Sequence, residues 1–171
     1  PELAAPKEQI LGIWTNVAKA VMSKADLALE EQEKYVLATL AFDEILGGLV
    51  KTQEEWSKYV EMYNPMPKGE VAKMFSTLDL DAILTDLFGH VPATLVVTEP
   101  RFFKNFKEVF NADTFEMYKN WAYVTTLMGS CSLLSEELRE LGGGFYRALS
   151  GIAAVSSPEK FAYQLSSGMY S

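Results

Sequence analysis

Apolar residues recur along most of this chain at three- and four-residue steps, the period of an α-helix with one buried face. Over Lys7–Lys24 the stripe is Ile10, Trp14, Val17 and Val21. From about Glu30 to Val50 it is Val36, Leu37, Leu40, Ile45 and Leu49. Glu30 and Lys34 there form an i,i+4 pair of the favourable order, and Gly47-Gly48 weakens the last turn. Thr52-Gln53-Glu54-Glu55 has the form of a capping box, in which hydroxyl and carboxylate satisfy free backbone amides, and predicts a short helix through Trp56, Tyr59 and Val60. Tyr63-Asn64-Pro65-Met66-Pro67 ends it, because each proline lacks an amide donor and pushes its predecessor out of the helical region. Short helices are then expected from Lys68 to about Phe75 and over Leu80–Phe88, the second capped by Asp79 and closed by a left-handed Gly89.

Thr94–Thr98 reads as a strand: β-branched residues in a row, with Pro92 before and Pro100 after. Pro100 suits the first turn of a helix over Pro100–Phe110, whose Phe102, Phe103, Phe106 and Phe110 form an aromatic face. Asp113-x-x-Glu116 predicts a second capping box and a long helix to about Leu134. Ser135 is placed to cap Glu136–Leu149, with acidic residues in its first turn where the dipole favours them. Ser157-Pro158-Glu159 opens a last helix that continues to the end. The expected fold class is all-α: seven or eight helices with at most one short strand pair. Residues 1–171 are expected to form a single helical domain with no repeat and no interdomain linker.

Composition sharpens this mainly by exclusion. Apolar residues make up 49% of the 171 positions, enough for a sizeable core and unlike a disordered tail. No apolar run approaches a membrane span and no signal peptide is visible, so no membrane partner is expected. A net charge of −8 argues against a nucleic-acid surface, which needs clustered Lys and Arg. The chain has one histidine, His90, and one cysteine, Cys131. That excludes His-Glu-x-x-His, a C-x-x-C pair and two Glu-x-x-His motifs, so no catalytic and no metal-binding residue is assigned. The start at Pro1 and the stop in a segment that still reads as helix suggest a piece of a larger chain.

Other features have plain structural readings. Cys131 is expected to be a small apolar residue on a packed helix. Gly142-Gly143-Gly144 lacks the Lys and Ser/Thr of a phosphate loop and reads as a bent point where two backbones approach closely. Asp79, Asp81 and Asp86 lack the spacing of a calcium loop. The most distinctive local sequence is Tyr63-Asn64-Pro65-Met66. Asn64, held extended by Pro65, is expected to hydrogen-bond nearby main chain in an Asx-type turn, with Tyr63 and Met66 packed on either side. This motif is read as structural rather than substrate-binding.

An ordered succession of segments extends the reading. It runs from Tyr35-Val36-Leu37-Ala38-Thr39-Leu40-Ala41-Phe42-Asp43-Glu44 through Met62-Tyr63-Asn64-Pro65-Met66 and Gly69-Glu70-Val71 to Leu95-Val96-Val97-Thr98-Glu99-Pro100-Arg101-Phe102. Lys119-Asn120-Trp121, Leu133-Leu134-Ser135, Phe145-Tyr146-Arg147-Ala148-Leu149-Ser150-Gly151 and Lys160-Phe161-Ala162-Tyr163-Gln164-Leu165 complete it. This succession resembles the N-terminal half of the neprilysin family of zinc metallopeptidases, which includes endothelin-converting enzyme and the bacterial oligopeptidase O group. Residues 31–171 carry the resemblance and residues 1–30 match loosely.

The resemblance implies a helical capping lobe of a two-lobed peptidase that walls the substrate chamber and limits substrate size. It implies that the chain itself has no cofactor, and that zinc is held by a C-terminal catalytic lobe of the same parent chain. That lobe and peptide substrates are the implied partners, in a bacterial cytoplasmic setting. The alternative is a free-standing helical interaction module that takes a partner helix or peptide in its Phe-rich groove. An enzyme relying on His90 alone is a third reading.

Overall fold

Eleven α-helices, two 3-10 turns and one two-stranded antiparallel sheet make up residues 7–74 and 78–169, the residues that the computed structural model describes. The described chain groups into two compact units, one within Pro1–Thr39 and Asn120–Ser171, the other within Leu40–Lys119. Among the described residues no helix is long and apolar enough to cross a membrane.

In the first unit, α1 (Lys7–Lys24) follows the predicted bounds and buries Ala18, Val21 and Met22 completely. Each of the two large side chains contributes roughly 1.5–3 kcal/mol by leaving water. Helix α2 (Leu29–Gly47) departs from the expected stripe. Its buried positions are Gln32, Val36, Thr39 and Phe42, while Leu37 is 64% exposed. Two polar residues occupy this face because their side chains are satisfied locally. Gln32 Nε2 donates to the Leu27 carbonyl at 2.7 Å, and Thr39 Oγ1 donates to the Tyr35 carbonyl at 2.7 Å. Tyr35 stacks on Tyr123 with centroids 5.2 Å apart.

In the second unit, the capping box at Thr52 forms as expected, but α3 covers only Gln53–Trp56 and a 3-10 turn follows over Tyr59–Met62. Strand β1 (Pro65–Pro67) then pairs with β2 (Thr94–Val96), Met66 opposite Leu95. Helices α4 (Lys68–Met74) and α5 (Leu80–Phe88) cover one face of this ribbon, where Val71, Leu80, Leu84 and Val97 form a buried cluster. Asp79 accepts from the Ala82 amide at 3.0 Å to cap α5, and Gly89 closes it at φ 73°. The expected end of the α4 pattern at Phe75 lies outside the described residues.

The helix expected over Pro100–Phe110 divides into α6 (Pro100–Lys104) and α7 (Phe106–Val109) at Asn105. Its aromatic residues pack on one another, with Phe106 buried: Phe102, Phe106, Phe110 and Tyr118 meet edge-on or tilted at 4.9–6.4 Å. The capping box expected at Asp113 and Glu116 is replaced by a turn built on Asn111. The Asn111 Oδ1 accepts from the Asp113 and Thr114 amides at 2.9 and 3.1 Å, α8 (Phe115–Ser130) starts two residues after Asp113, and Glu116 pairs with Lys119.

After α8 the chain returns to the first unit. A 3-10 turn, Cys131–Leu133, leads to α9 (Glu136–Gly142), α10 (Gly144–Ser150) and α11 (Pro158–Met169). Ser135 caps α9, and the expected bend falls at Gly143. Its cause is close approach: a Cβ on Gly142 would lie 2.5 Å from the Cβ of Cys131, and one on Gly144 would lie 3.3 Å from Val17. The all-α class with one short strand pair is as expected. The described residues hold eleven α-helices where seven or eight were expected, and two of the expected helices are divided, at Asn105 and Gly143.

Gly142→Ala is expected to destabilise the protein by about 1–3 kcal/mol, since the new methyl must displace the 131–133 turn. Gly12→Ala, with nothing within 4 Å, should stabilise α1 by about 0.5–1 kcal/mol. Denaturant unfolding of the two variants checks the contrast in sign.

Candidate functional site

The concave polar feature of the second unit is a cleft of about 280 Å3 lined by Lys51, Glu55, Glu61, Asn64, Glu99 and Arg101. It is assembled by hydrogen bonds across long sequence separations. Arg101, in the first turn of α6, donates through Nε to the Leu49 carbonyl at 3.2 Å and through Nη2 to the Val50 carbonyl at 2.6 Å. The same Nη2 reaches Glu55 Oε2 at 3.0 Å. The Lys51 amide donates to Glu99 Oε1 at 3.1 Å, while its ammonium lies 5.6 Å from the centre of the Trp56 ring. Lys51 Nζ and Glu99 Oε2 are buried without a hydrogen-bond partner.

Glu55 is the electrostatic centre of the cleft. The Thr52 amide at 2.7 Å, reinforced by the Arg101 guanidinium, holds its carboxyl below the ordinary carboxylate range. Both donors favour the charged form.

Tyr63-Asn64-Pro65-Met66 borders this cleft. Asn64 Nδ2 donates to the Glu61 carbonyl at 2.8 Å, and the Asn64 carbonyl accepts from the Val97 amide at 2.9 Å. The residue therefore closes the 3-10 turn with its side chain and starts the ribbon with its main chain. Met66 packs against the Val71 cluster. Tyr63 does not pack as expected. It is 70% exposed, beside exposed Tyr59 and Val60, because the 3-10 turn directs these side chains to solvent where a longer helix would have buried one face.

The remaining candidates do not converge on a reactive centre. His90 is exposed, its Nδ1 3.0 Å from the Phe88 carbonyl. Cys131 is buried and its thiol donates to the Leu127 carbonyl at 3.3 Å; burial pushes its pKa up, away from the reactive thiolate. Asp79 caps α5 and Asp81 pairs with Lys68 at 2.7 Å. Among the described residues no group of His, Cys, Asp and Glu is arranged to hold a metal ion, so these side chains do not fit zinc. In the first unit, Arg139 is buried, clamped bidentately by Glu136 and placed 5.3 Å from the Phe161 ring centre. Glu136 raises its pKa and keeps it charged.

Arg101, Lys51 and Glu99 carry the cleft, yet no local pattern distinguishes them. The readable signals were the capping box and Glu99-Pro100-Arg101 as a strand-to-helix element. That Arg101 would reach Leu49 and Val50 is a tertiary fact.

The sequence profile of Peptidase family M13, for its N-terminal region, matches residues 3–171. The chain is similar to a protein named Neutral endopeptidase from Lactococcus lactis subsp. cremoris, 30% identical over 165 residues, covering 96% of the chain and 26% of that protein. Its fold is similar to the crystal structure of PepO from Lactobacillus rhamnosis HN001, with a TM-score of 0.87 at 21% identity, covering 96% of this chain and 26% of that one. It is also similar to the Mycobacterium tuberculosis zinc metalloprotease Zmp1 in its open state, with a TM-score of 0.73 at 17% identity, covering 92% of this chain and 26% of that one. The chain therefore spans about a quarter of the length of the relatives it matches.

Two expectations test the cleft. Asn64→Ala removes the bond to Glu61 and should cost on the order of 1 kcal/mol in thermal unfolding. Because the Glu55 pKa is lowered on folding, its contribution is present above the carboxylate range and disappears as pH falls through it. Melting curves of the wild type and Glu55→Gln should differ at neutral pH and converge as pH falls below the ordinary carboxylate range.

Proposed function

This chain belongs to Peptidase family M13, and we propose that it forms the non-catalytic, capping helical lobe of a neprilysin-like zinc metalloendopeptidase. The observation that carries the proposal is one of proportion. The family match takes up nearly the whole chain, yet the chain accounts for only 26% of a relative named for endopeptidase activity. The donor set agrees: with one exposed imidazole and no cluster of ligands among the described residues, the metal belongs to another part of the parent.

The surface supports the same division of labour. Leu87, Phe88, Tyr59, Val60, Tyr146, Tyr163 and Met169 are all more than half exposed. Large apolar side chains in such number suit contact with a further lobe and with extended peptides. A wall of this kind favours peptides by excluding bulky folded substrates, and its own side chains need no acid, base or nucleophile. Peptide substrates and a C-terminal catalytic lobe are the partners of this reading, and zinc is the parent's cofactor. A bacterial cytoplasmic setting fits the single, buried thiol. The family match over nearly the whole chain does not favour a free-standing interaction module.

Zinc analysis and peptide turnover test the proposal on two samples, the full-length parent and residues 1–171. The full-length protein is expected to hold zinc and cleave peptides but not folded proteins, and the shorter chain to do neither. Tightly held stoichiometric zinc or peptide hydrolysis in residues 1–171, or a parent without a downstream His-Glu-x-x-His, overturns it.

A further inference from the structure

The ribbon formed by β1 and β2 is asymmetric in its ability to accept another strand. The Val97 amide donates to the Asn64 carbonyl at 2.9 Å, and the Lys68 amide donates to the Ala93 carbonyl at 2.9 Å. In an antiparallel pair hydrogen-bonded positions alternate, so Leu95 and Met66 also exchange bonds across the ribbon. Thr94 and Val96 then turn their amides and carbonyls away from β1. On the far side of β1 the outward-turned residues are Pro65 and Pro67, which have no N–H to offer. One edge is closed by proline and the other presents a donor, an acceptor, a donor and an acceptor.

Among the described residues no hydrogen bond takes up the outward groups of Thr94 and Val96. Both residues are exposed, Val96 to 51%, while Leu95 between them packs toward the Val71 cluster. Open edges of this kind are commonly blunted by short strand length, charge, proline or cover; β2 is short but carries neither charge nor proline.

We propose that an extended segment of the parent polypeptide, lying outside residues 1–171, pairs with the outer edge of β2 as a third strand. The proposal rests on the reading of this chain as one part of a larger peptidase. Relatives leave roughly three-quarters of their length to supply the segment. Main-chain bonds at Thr94 and Val96 set its register, and the exposed Val96 side chain offers an apolar contact on one face.

Amide hydrogen exchange on the full-length protein tests this, with Leu95 as an internal reference because its amide is bonded within the ribbon regardless. Thr94 and Val96 are expected to exchange within about tenfold of Leu95. Exchange a hundredfold faster than Leu95 overturns the proposal. So does protection that appears only with a non-cleavable peptide bound, which assigns the edge to substrate. Protection that depends on protein concentration also overturns it, assigning the edge to a second copy.

A second measurement separates strand pairing from simple cover. Val96→Pro removes a donor that β1 does not use, and Val96→Ala removes only the side chain. In the full-length protein the proline variant should melt several degrees below the alanine variant; equal melting refutes the third strand. If Val96→Pro does not fold, the exchange measurement decides. Zinc content and peptide turnover of the same sample judge the lobe assignment separately, so an active protein with an open edge overturns the strand alone.

Discussion

The pairing of Met66 with Leu95 is the interaction on which the Leu40–Lys119 unit depends. It closes a loop of nearly thirty residues, an entropic cost that only the apolar cover beneath it offsets. That cover is Val71 from α4, Leu80 and Leu84 from α5, and Val97 at the end of β2. Everything around the polar cleft is set by the same pairing. Asn64 enters the ribbon through its carbonyl while its side chain holds Glu61, and Glu99 and Arg101 leave the other strand already directed at the 49–55 loop. The prolines that stop α-helix formation at 65 and 67 also give the ribbon a single open side.

The other unit is governed by steric closeness rather than by strand pairing. Gly142 sits against Cys131 so tightly that any side chain would have to move the turn, and Gly144 lies against Val17 of α1. Glycine therefore sets how near α9 and α10 come to their neighbours, at the cost of breaking one helix into two. The buried Arg139 is tolerated there because Glu136 takes two of its donors and Phe161 covers its face.

These features suit a part that is shaped to be leaned on. Many polar groups are used for caps, turns and loop anchors, while large apolar side chains stand exposed on several helices. The proposed capping role fits a chain with half of its residues apolar and no group of potential metal ligands among the described residues. The M13 match and the proposed capping role follow the same logic from opposite ends, one from residue order and one from what the surface leaves uncovered.

Local chemistry determined much of this protein in advance. Helix starts at Thr52, Asp79 and Ser135, the left-handed Gly89, the strand at Thr94 and the bend at the glycine triplet were legible because caps, prolines and glycines act within four residues of themselves. The tertiary structure decided what local rules cannot carry. It turned Leu37 and Tyr63 outward, placed Gln32 and Thr39 inside, broke the aromatic helix at Asn105 and moved the Asp113 cap to Asn111. It also brought Arg101 to Leu49 and Val50. For Gln32, Thr39 and Arg101 the deciding partner is a backbone carbonyl, near in sequence for the first two and some fifty residues away for Arg101. None of these bonds leaves a periodic mark in the sequence.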